Sequence, residues 1–386
     1  MNLPGLDVLR RRATVKWTAY PDDVLPLWVA ESDFATCPHI VDALSGAVEQ
    51  ERFGYPAPDG RMEKALAEFS AARHGFAVNP DFVRPTADVV GGLLLAIRHF
   101  TRPDSPVVVA VPAYPPFLRL GPMAGRMTMT TTYIPGADGR LEPDVDHIDS
   151  LFKKGAGCLI LCNPHNPLGL THSPQLLREL AESAARHGAR IISDEIHCPL
   201  VYDRPHVAMA SVSDTAAAVT ITLTAGSKAW NVAGLKCAQI IFTNPGDVEV
   251  FDGLEPYFRE GFSTLGLVAA EACYTAPLSF LDRQLEYLKG NRDWLARTLP
   301  EAIAGATVTT PEASYLSWID FSDTPVADSP AAFFLRQARV ALNEGTCFGD
   351  GGEHHARINF ACRRDTLAEA VDRMADAVKK HSRLPG

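Results

Sequence analysis

No Cys-x-x-Cys pair occurs in this sequence, and its eight cysteines (37, 158, 162, 198, 237, 273, 347 and 362) sit mostly in apolar runs. That spacing argues against a zinc ribbon or a redox dithiol and for reduced core thiols in a cytoplasmic protein. Basic charge is also short: 36 Lys and Arg against 46 Asp and Glu leave a net charge of −10. Such a surface offers no stripe for a nucleic-acid backbone. No apolar run reaches the length of a membrane span, and "MNLPGLDVLRRRATVKW" has no apolar core of signal-peptide length. Neither a Walker loop nor G-x-G-x-x-G is present, and nothing repeats. The adjacent His354 and His355 would point apart if their segment is extended, which argues against a metal pair.

What is present is an alternation. "RMEKALAEFSAARHG" reads as an amphipathic helix stopped by Gly75, and "GGLLLAIRHF" as a helix starting at its glycines. Ser173 caps "PQLLRELAESAARHG", with Pro174 in the first turn. Between such helices lie short, continuously apolar runs: "PVVVAVPAY", "CLILCNP", "RIISDEI", "AVTITLTAGS" and "CAQIIFTNP". Apolar strands alternating with helices imply an α/β fold with a mostly parallel sheet covered on both faces. Near residue 285 the pattern changes to a long helix, then strands and helices in α+β order. We expect a large domain over 46–284 and a smaller one over 285–386, with residues 1–45 packing on the smaller domain or on a partner subunit.

Ligands of open α/β sheets sit outside the carboxyl ends of the strands. Tyr114, Asn166, Asp194 and Lys228 each come just after a strand. Lys228 stands in "TLTAGSKAWNVAGL", a setting of small residues that a hydrated surface lysine does not need. Desolvation lowers a lysine's pKa and readies it as nucleophile or base. Asp194 requires a cationic or N–H partner: the next helix turn, or a protonated ring nitrogen. Asn166 in "NPHNPLG" is a rigid amide or simply part of a tight loop. Tyr114 between prolines either stacks on a flat ring or packs in the core. "TADVVGGLLLAI" runs into a helix N-terminus, where the backbone of Val89 and Val90 can meet an anion. His197, three residues past Asp194, is near enough to orient it. Arg357 in "ARINFACRR" needs an anion, from a substrate carboxylate or an internal salt bridge.

These residues, in this order, resemble fold-type I pyridoxal-phosphate enzymes of the class I/II aminotransferase superfamily over nearly the whole chain. The resemblance is strongest to the carbon–sulfur lyase branch, the cystathionine β-lyase-like proteins. It is carried by "LPLWVAESDF", "RFGYPAP", "VPAYPPF", "CNPHNPLG", "SDEIHCPLVYD", "GSKAWNVAGLK" and "FGDGGEHHARINFACRR". Many aminotransferases carry Tyr where this chain has His197. The resemblance implies a three-layer αβα domain carrying pyridoxal 5'-phosphate and a smaller α+β domain. It implies that Lys228 forms the Schiff base and takes the Cα proton, and that Asp194 pairs with the pyridinium nitrogen. Asn166 would donate to the ring hydroxyl, Tyr114 would stack on the ring, and His197 would lie beside it. Val89, Val90, Ser227 and Lys236 would hold the phosphate, with Tyr55 reaching from the other subunit of a homodimer. Arg357, with Asn166 and Tyr114, would bind an amino-acid-type substrate.

The implied reaction is β-elimination from a cysteine S-conjugate to a thiol, pyruvate and ammonia. Transamination, or oxidative or decarboxylating deamination, would use the same residues. The chain departs from common family patterns at Asp88, Gly91, Pro199, Ala313 and Ser314. Those departures point from cystathionine toward a larger conjugate.

Overall fold

In the computed structural model, which describes residues 3–136 and 139–383, eight strands form one sheet. They are β1 Val83–Thr86, β2 Val107–Val111, β3 Thr128–Pro135, β4 Leu141–Pro143, β5 Cys158–Cys162, β6 Arg190–Asp194, β7 Thr220–Thr224 and β8 Ala238–Phe242. Their order across the sheet is β1-β8-β7-β6-β5-β2-β3-β4. The five strands from β7 to β3 run parallel. The edges are antiparallel, where β8 pairs with β7 and β1, and β4 with β3. The sheet is thus mostly parallel, as expected, but β8 reverses. An apolar run reports burial and says nothing about direction.

Burial on both faces explains those runs. Val107, Val109, Val111, Ile160 and Ile192 pack in one core with Leu93, Ala96 and Ile97 of helix α2. The alternate residues Val108, Leu159, Leu161 and Ile191 pack in another core, with Leu177, Leu180 and Ala184 of helix α4. The helices concerned are α1 Arg61–His74, α2 Val89–Phe100, α3 Pro115–Met123, α4 Pro174–Arg186 and α5 Thr264–Thr275. Gly75 ends α1 at φ 64°, and Ser173 Oγ accepts the N–H of Leu176 at 3.2 Å to open α4. Helix α2 begins two residues before its glycines, because the Asp88 side chain caps it. Gly92 lies against the sheet: a Cβ there would sit 2.3 Å from Leu223 Cδ2.

The described residues divide into two compact units, a larger one of 36–136, 139–165 and 170–280 and a smaller one of 3–35, 166–169 and 281–383. The sheet above belongs to the larger. The smaller contains an antiparallel sheet of β9 Thr307–Val308, β10 Leu316–Asp320, β11 Asn343–Glu344 and β12 His355–Asn359, in the order β9-β10-β12-β11. Its N-terminal segment adds a parallel pair, Leu25–Pro26 with Val340–Ala341. That segment is fastened by a buried ion pair. Lys16 Nζ lies 2.8 Å from Asp33 Oδ1 and donates to the Glu31 carbonyl, and Trp17 Nε1 donates to the same Asp33 oxygen. The partners satisfy charges that burial would otherwise penalise.

All eight cysteines are free, with Cys347 exposed and Cys237 half-buried. No single helix among the described residues is long and apolar enough to cross a membrane.

Candidate active site

In the larger unit the chemistry gathers at the carboxyl end of the parallel strands. Asp194 is the last residue of β6 and pairs in register with Cys162 on β5 and Leu223 on β7. It is buried, and Ile196 N–H donates to its Oδ1 at 3.0 Å. Desolvation pushes the Asp194 carboxyl up to about 7, with Glu195 adding to the rise; the Ile196 bond and the Lys228 ammonium partly offset it. Lys228 comes four residues after β7 ends, on a half-buried turn beside Ser227. Small residues are required there: a Cβ on Gly226 would meet Cys273 Sγ at 2.9 Å.

Tyr114 caps α3, half-buried, its ring edge-on to Phe117 with centroids 5.4 Å apart. His197 is buried in the turn after β6. His165, in the loop after β5, is held well below the ordinary histidine range by burial, with His172 and His197 nearby. Val89 and Val90 form the first turn of α2. Asp88 Oδ1 accepts the Gly91 N–H at 2.8 Å, and its Oδ2 lies 2.7 Å from Lys236 Nζ. Tyr55 is packed on none of these residues: its side chain is 100% exposed, at the edge of an open concavity of about 930 Å³ lined also by Arg61, Arg84 and Phe262.

The smaller unit holds Asn166 and Arg357. Arg357 is buried on β12, opposite Trp318 of β10 and Asn343 of β11. Its Nη1 donates to Asn166 Oδ1 at 3.1 Å. Its Nη2 donates to the Trp28 carbonyl at 3.0 Å and to Asn343 Oδ1 at 3.1 Å. The guanidinium lies 5.1 Å from the Phe348 ring centroid. These acceptors are neutral and orient the planar fork.

Two groups escaped the sequence reading. Glu195 Oε2 lies 2.7 Å from His206 Nε2, both buried, and Glu195 Oε1 accepts from Ser193 Oγ and the Met209 N–H. This network braces the turn that follows Asp194. "DEIH" displays the glutamate, but nothing in sequence links it to a histidine eleven residues on. Asn343 is the other, since only strand pairing sets it beside Arg357. The segment is not extended at His354, which lies in a turn at φ 62° with its Nδ1 2.9 Å from the Ala327 carbonyl, while His355 begins β12 and stacks on Trp318. No group of three or more His, Cys, Asp or Glu among the described residues is placed to hold a metal ion.

Two observations fit pyridoxal phosphate. A buried carboxyl pushed up to about 7 ends a strand beside a lysine, which suits a protonated ring nitrogen. The first turn of α2 already receives an anion, the Asp88 carboxylate, from a backbone N–H and an ammonium. That donor set suits a phosphate.

The family model "Aminotransferase class I and II" matches residues 22–374. A cystathionine β-lyase of Corynebacterium glutamicum is 48% identical over 378 residues, covering 98% of this chain and 100% of that one. The cystathionine β-lyase PatB of Bacillus subtilis is 33% identical, over 95% and 96% of the two chains. A solved structure assigned as a pyridoxal-phosphate-dependent β-cystathionase of Corynebacterium diphtheriae superposes with a TM-score of 0.94. It is 48% identical, covering 98% of this chain and 99% of that one. The chain belongs to the class I and II aminotransferase family, with the fold-type I architecture expected from its sequence.

Proposed function

We propose that this protein is a pyridoxal-phosphate-dependent carbon–sulfur β-lyase that cleaves a cysteine S-conjugate to a thiol, pyruvate and ammonia. The observation that carries the reading is a buried Asp194 at the end of β6 that feels the charge of Lys228, four residues past the neighbouring strand β7, in a chain 48% identical to a cystathionine β-lyase. The cofactor, when bound, supplies an electron sink for the carbanion at the substrate Cα.

This chain's residues do the rest. Lys228 Nζ holds the cofactor and takes the Cα proton. Asp194 holds a proton on the ring nitrogen. In the pair, the carboxylate gains the cation that desolvation otherwise denies it. Asn166, whose Oδ1 is taken by Arg357, presents its Nδ2 as a donor toward the ring hydroxyl. Tyr114 stacks on the ring, with His197 beside it. Val89, Val90, Ser227 and Lys236 hold the phosphate. Arg357 binds the α-carboxylate of an amino-acid-type substrate, with Asn166 and Tyr114 assisting. Removal of the Cα proton would let the Cβ–S bond break with loss of a thiolate, and the three-carbon remainder would take up water to give pyruvate and ammonia. With a poorer leaving group the same residues would favour transamination.

A homodimer is part of this proposal. The exposed Tyr55, with Phe53 and Tyr257 also exposed at 63% and 87%, offers aromatic surface to a second copy. Free cysteines support a reducing, cytoplasmic setting. The substrate is cystathionine or a larger conjugate of the same kind.

The test is spectroscopic and then chemical. The purified protein should show a visible-edge absorbance band that Lys228→Ala abolishes. An S-alkyl cysteine should yield pyruvate and free thiol with no keto acid added. A yellow protein that turns over only with a keto acid would be an aminotransferase instead.

A further inference from the structure

Asp88 stands where the cofactor's phosphate is expected. It is the N-cap of α2, and its carboxylate holds the Gly91 N–H at 2.8 Å and the Lys236 ammonium at 2.7 Å. Both side chains are about half exposed, 43% for Asp88 and 56% for Lys236, so the pair faces open space. Lys236 is positioned for it: the residue adopts a left-handed backbone at φ 53°. Its carbonyl accepts the Ser263 N–H, and Ser263 Oγ donates to the Leu235 carbonyl. The neighbouring helix α5 presses close there, since a Cβ on Gly266 would sit 2.4 Å from the Leu235 carbonyl oxygen and 2.8 Å from that of Lys236.

A helix N-terminus and one ammonium are a small store of positive charge. A carboxylate already drawing on both lowers what remains for a second anion and repels it. We propose that Asp88 is a built-in rival of the cofactor phosphate. A phosphate at the first turn of α2 must take Lys236 from it and sit beside its charge, so the chain holds its cofactor less tightly than the same cradle without that carboxylate. The inference rests on the reading of Val89, Val90 and Lys236 as the phosphate end of the site.

The experiment uses full-length protein freed of cofactor and titrated with inorganic phosphate. Binding is read by thermal shift and by competition with pyridoxal phosphate absorbance. Asp88→Asn keeps an amide oxygen for the Gly91 N–H and removes the charge. It should bind inorganic phosphate on the order of ten-fold more tightly than the unaltered chain, and release pyridoxal phosphate correspondingly more slowly. Adding Lys236→Met should shrink the gain to the part that relief of repulsion alone supplies. Asp88→Ser, which also caps, carries the same test if the Asn variant does not fold. Unchanged or weaker phosphate binding in the neutral variants, with competition intact, would overturn the rivalry and leave the site reading standing. A gain that Lys236→Met leaves undiminished would overturn the competition for Lys236. If phosphate competes with the cofactor in neither protein, the reading of α2 as the phosphate end fails and the inference falls with it.

Discussion

Arg357 Nη1 donates to Asn166 Oδ1 at 3.1 Å across 191 residues of sequence. That bond decides which way the amide faces. With Oδ1 engaged, the two N–H groups of Asn166 point away from the guanidinium, and one of them serves the ring hydroxyl in the proposed mechanism. The guanidinium in turn is held by Trp28, Asn343 and the face of Phe348.

The fork geometry sets the first prediction. Arg357→Lys keeps the charge but replaces a planar fork with a point donor. KM for an S-alkyl cysteine should rise by roughly 100-fold, with a smaller loss in kcat. Asn343→Leu, which loosens the fork without touching substrate, should raise KM by about ten-fold. Steady-state kinetics separate the two constants. An effect confined to kcat would remove Arg357 from carboxylate binding.

Asp194 gives a pH prediction whose sign can be worked out. Its carboxyl moves from 3.8 to about 7 on burial, so the folded chain holds the proton more tightly than the unfolded one. Between those values the unfolded state binds fewer protons, and stability falls as pH rises through the window. In protein stripped of pyridoxal phosphate, the decline from this group should be on the order of a few kcal/mol. Asp194→Asn should flatten it, so the stripped variant melts higher than the stripped parent at pH 8. Loaded with cofactor, the order should reverse, because the ring nitrogen's proton then stabilises the carboxylate. Melting curves of both proteins at pH 5 and pH 8 give the comparison.

Glu195 and His206 form a buried pair, 4% and 1% exposed at their side chains. Removing His206 takes the partner from a buried Glu195 oxygen. His206→Ala should therefore cost roughly 1–3 kcal/mol in denaturant unfolding. The double replacement Glu195→Leu with His206→Leu should recover part of that loss. If the single variant unfolds like the parent, this pair does not brace the Asp194 turn.

Tyr55 tests the second subunit. In the proposed homodimer, Tyr55→Phe should lower activity, and so should Lys228→Ala. Mixing the two inactive proteins under exchange conditions should restore roughly a quarter of the parental activity, if one hybrid site of each pair is intact and half the dimers are hybrids. No recovery in mixtures shown to exchange subunits would place Tyr55 outside any shared site.

Several features were legible in the sequence for a definite reason. Strands covered on both faces have no polar alternation, so "PVVVAVPAY", "CLILCNP" and "RIISDEI" announce β2, β5 and β6 as uninterrupted apolar runs. Ser173 and Gly75 mark helix ends through local hydrogen bonding and a positive φ, both properties of single residues. The antiparallel edge strands β1 and β4 were not legible. They are short, β1 contains Pro85, and their place comes from partners far along the chain.

By itself the sequence determined which residues end strands and which turns follow them, because burial and local backbone preference act on neighbours. It therefore put Asp194 at a strand end, Lys228 in the turn after a strand, and a helix start near Val89. Only the tertiary structure decided that β6 and β7 lie side by side, that Asp88 meets Lys236 from 148 residues away, and that Arg357 closes on Asn166 and Asn343. Those pairings depend on the order in which strands assemble and on charges seeking partners out of water, and no local pattern encodes either.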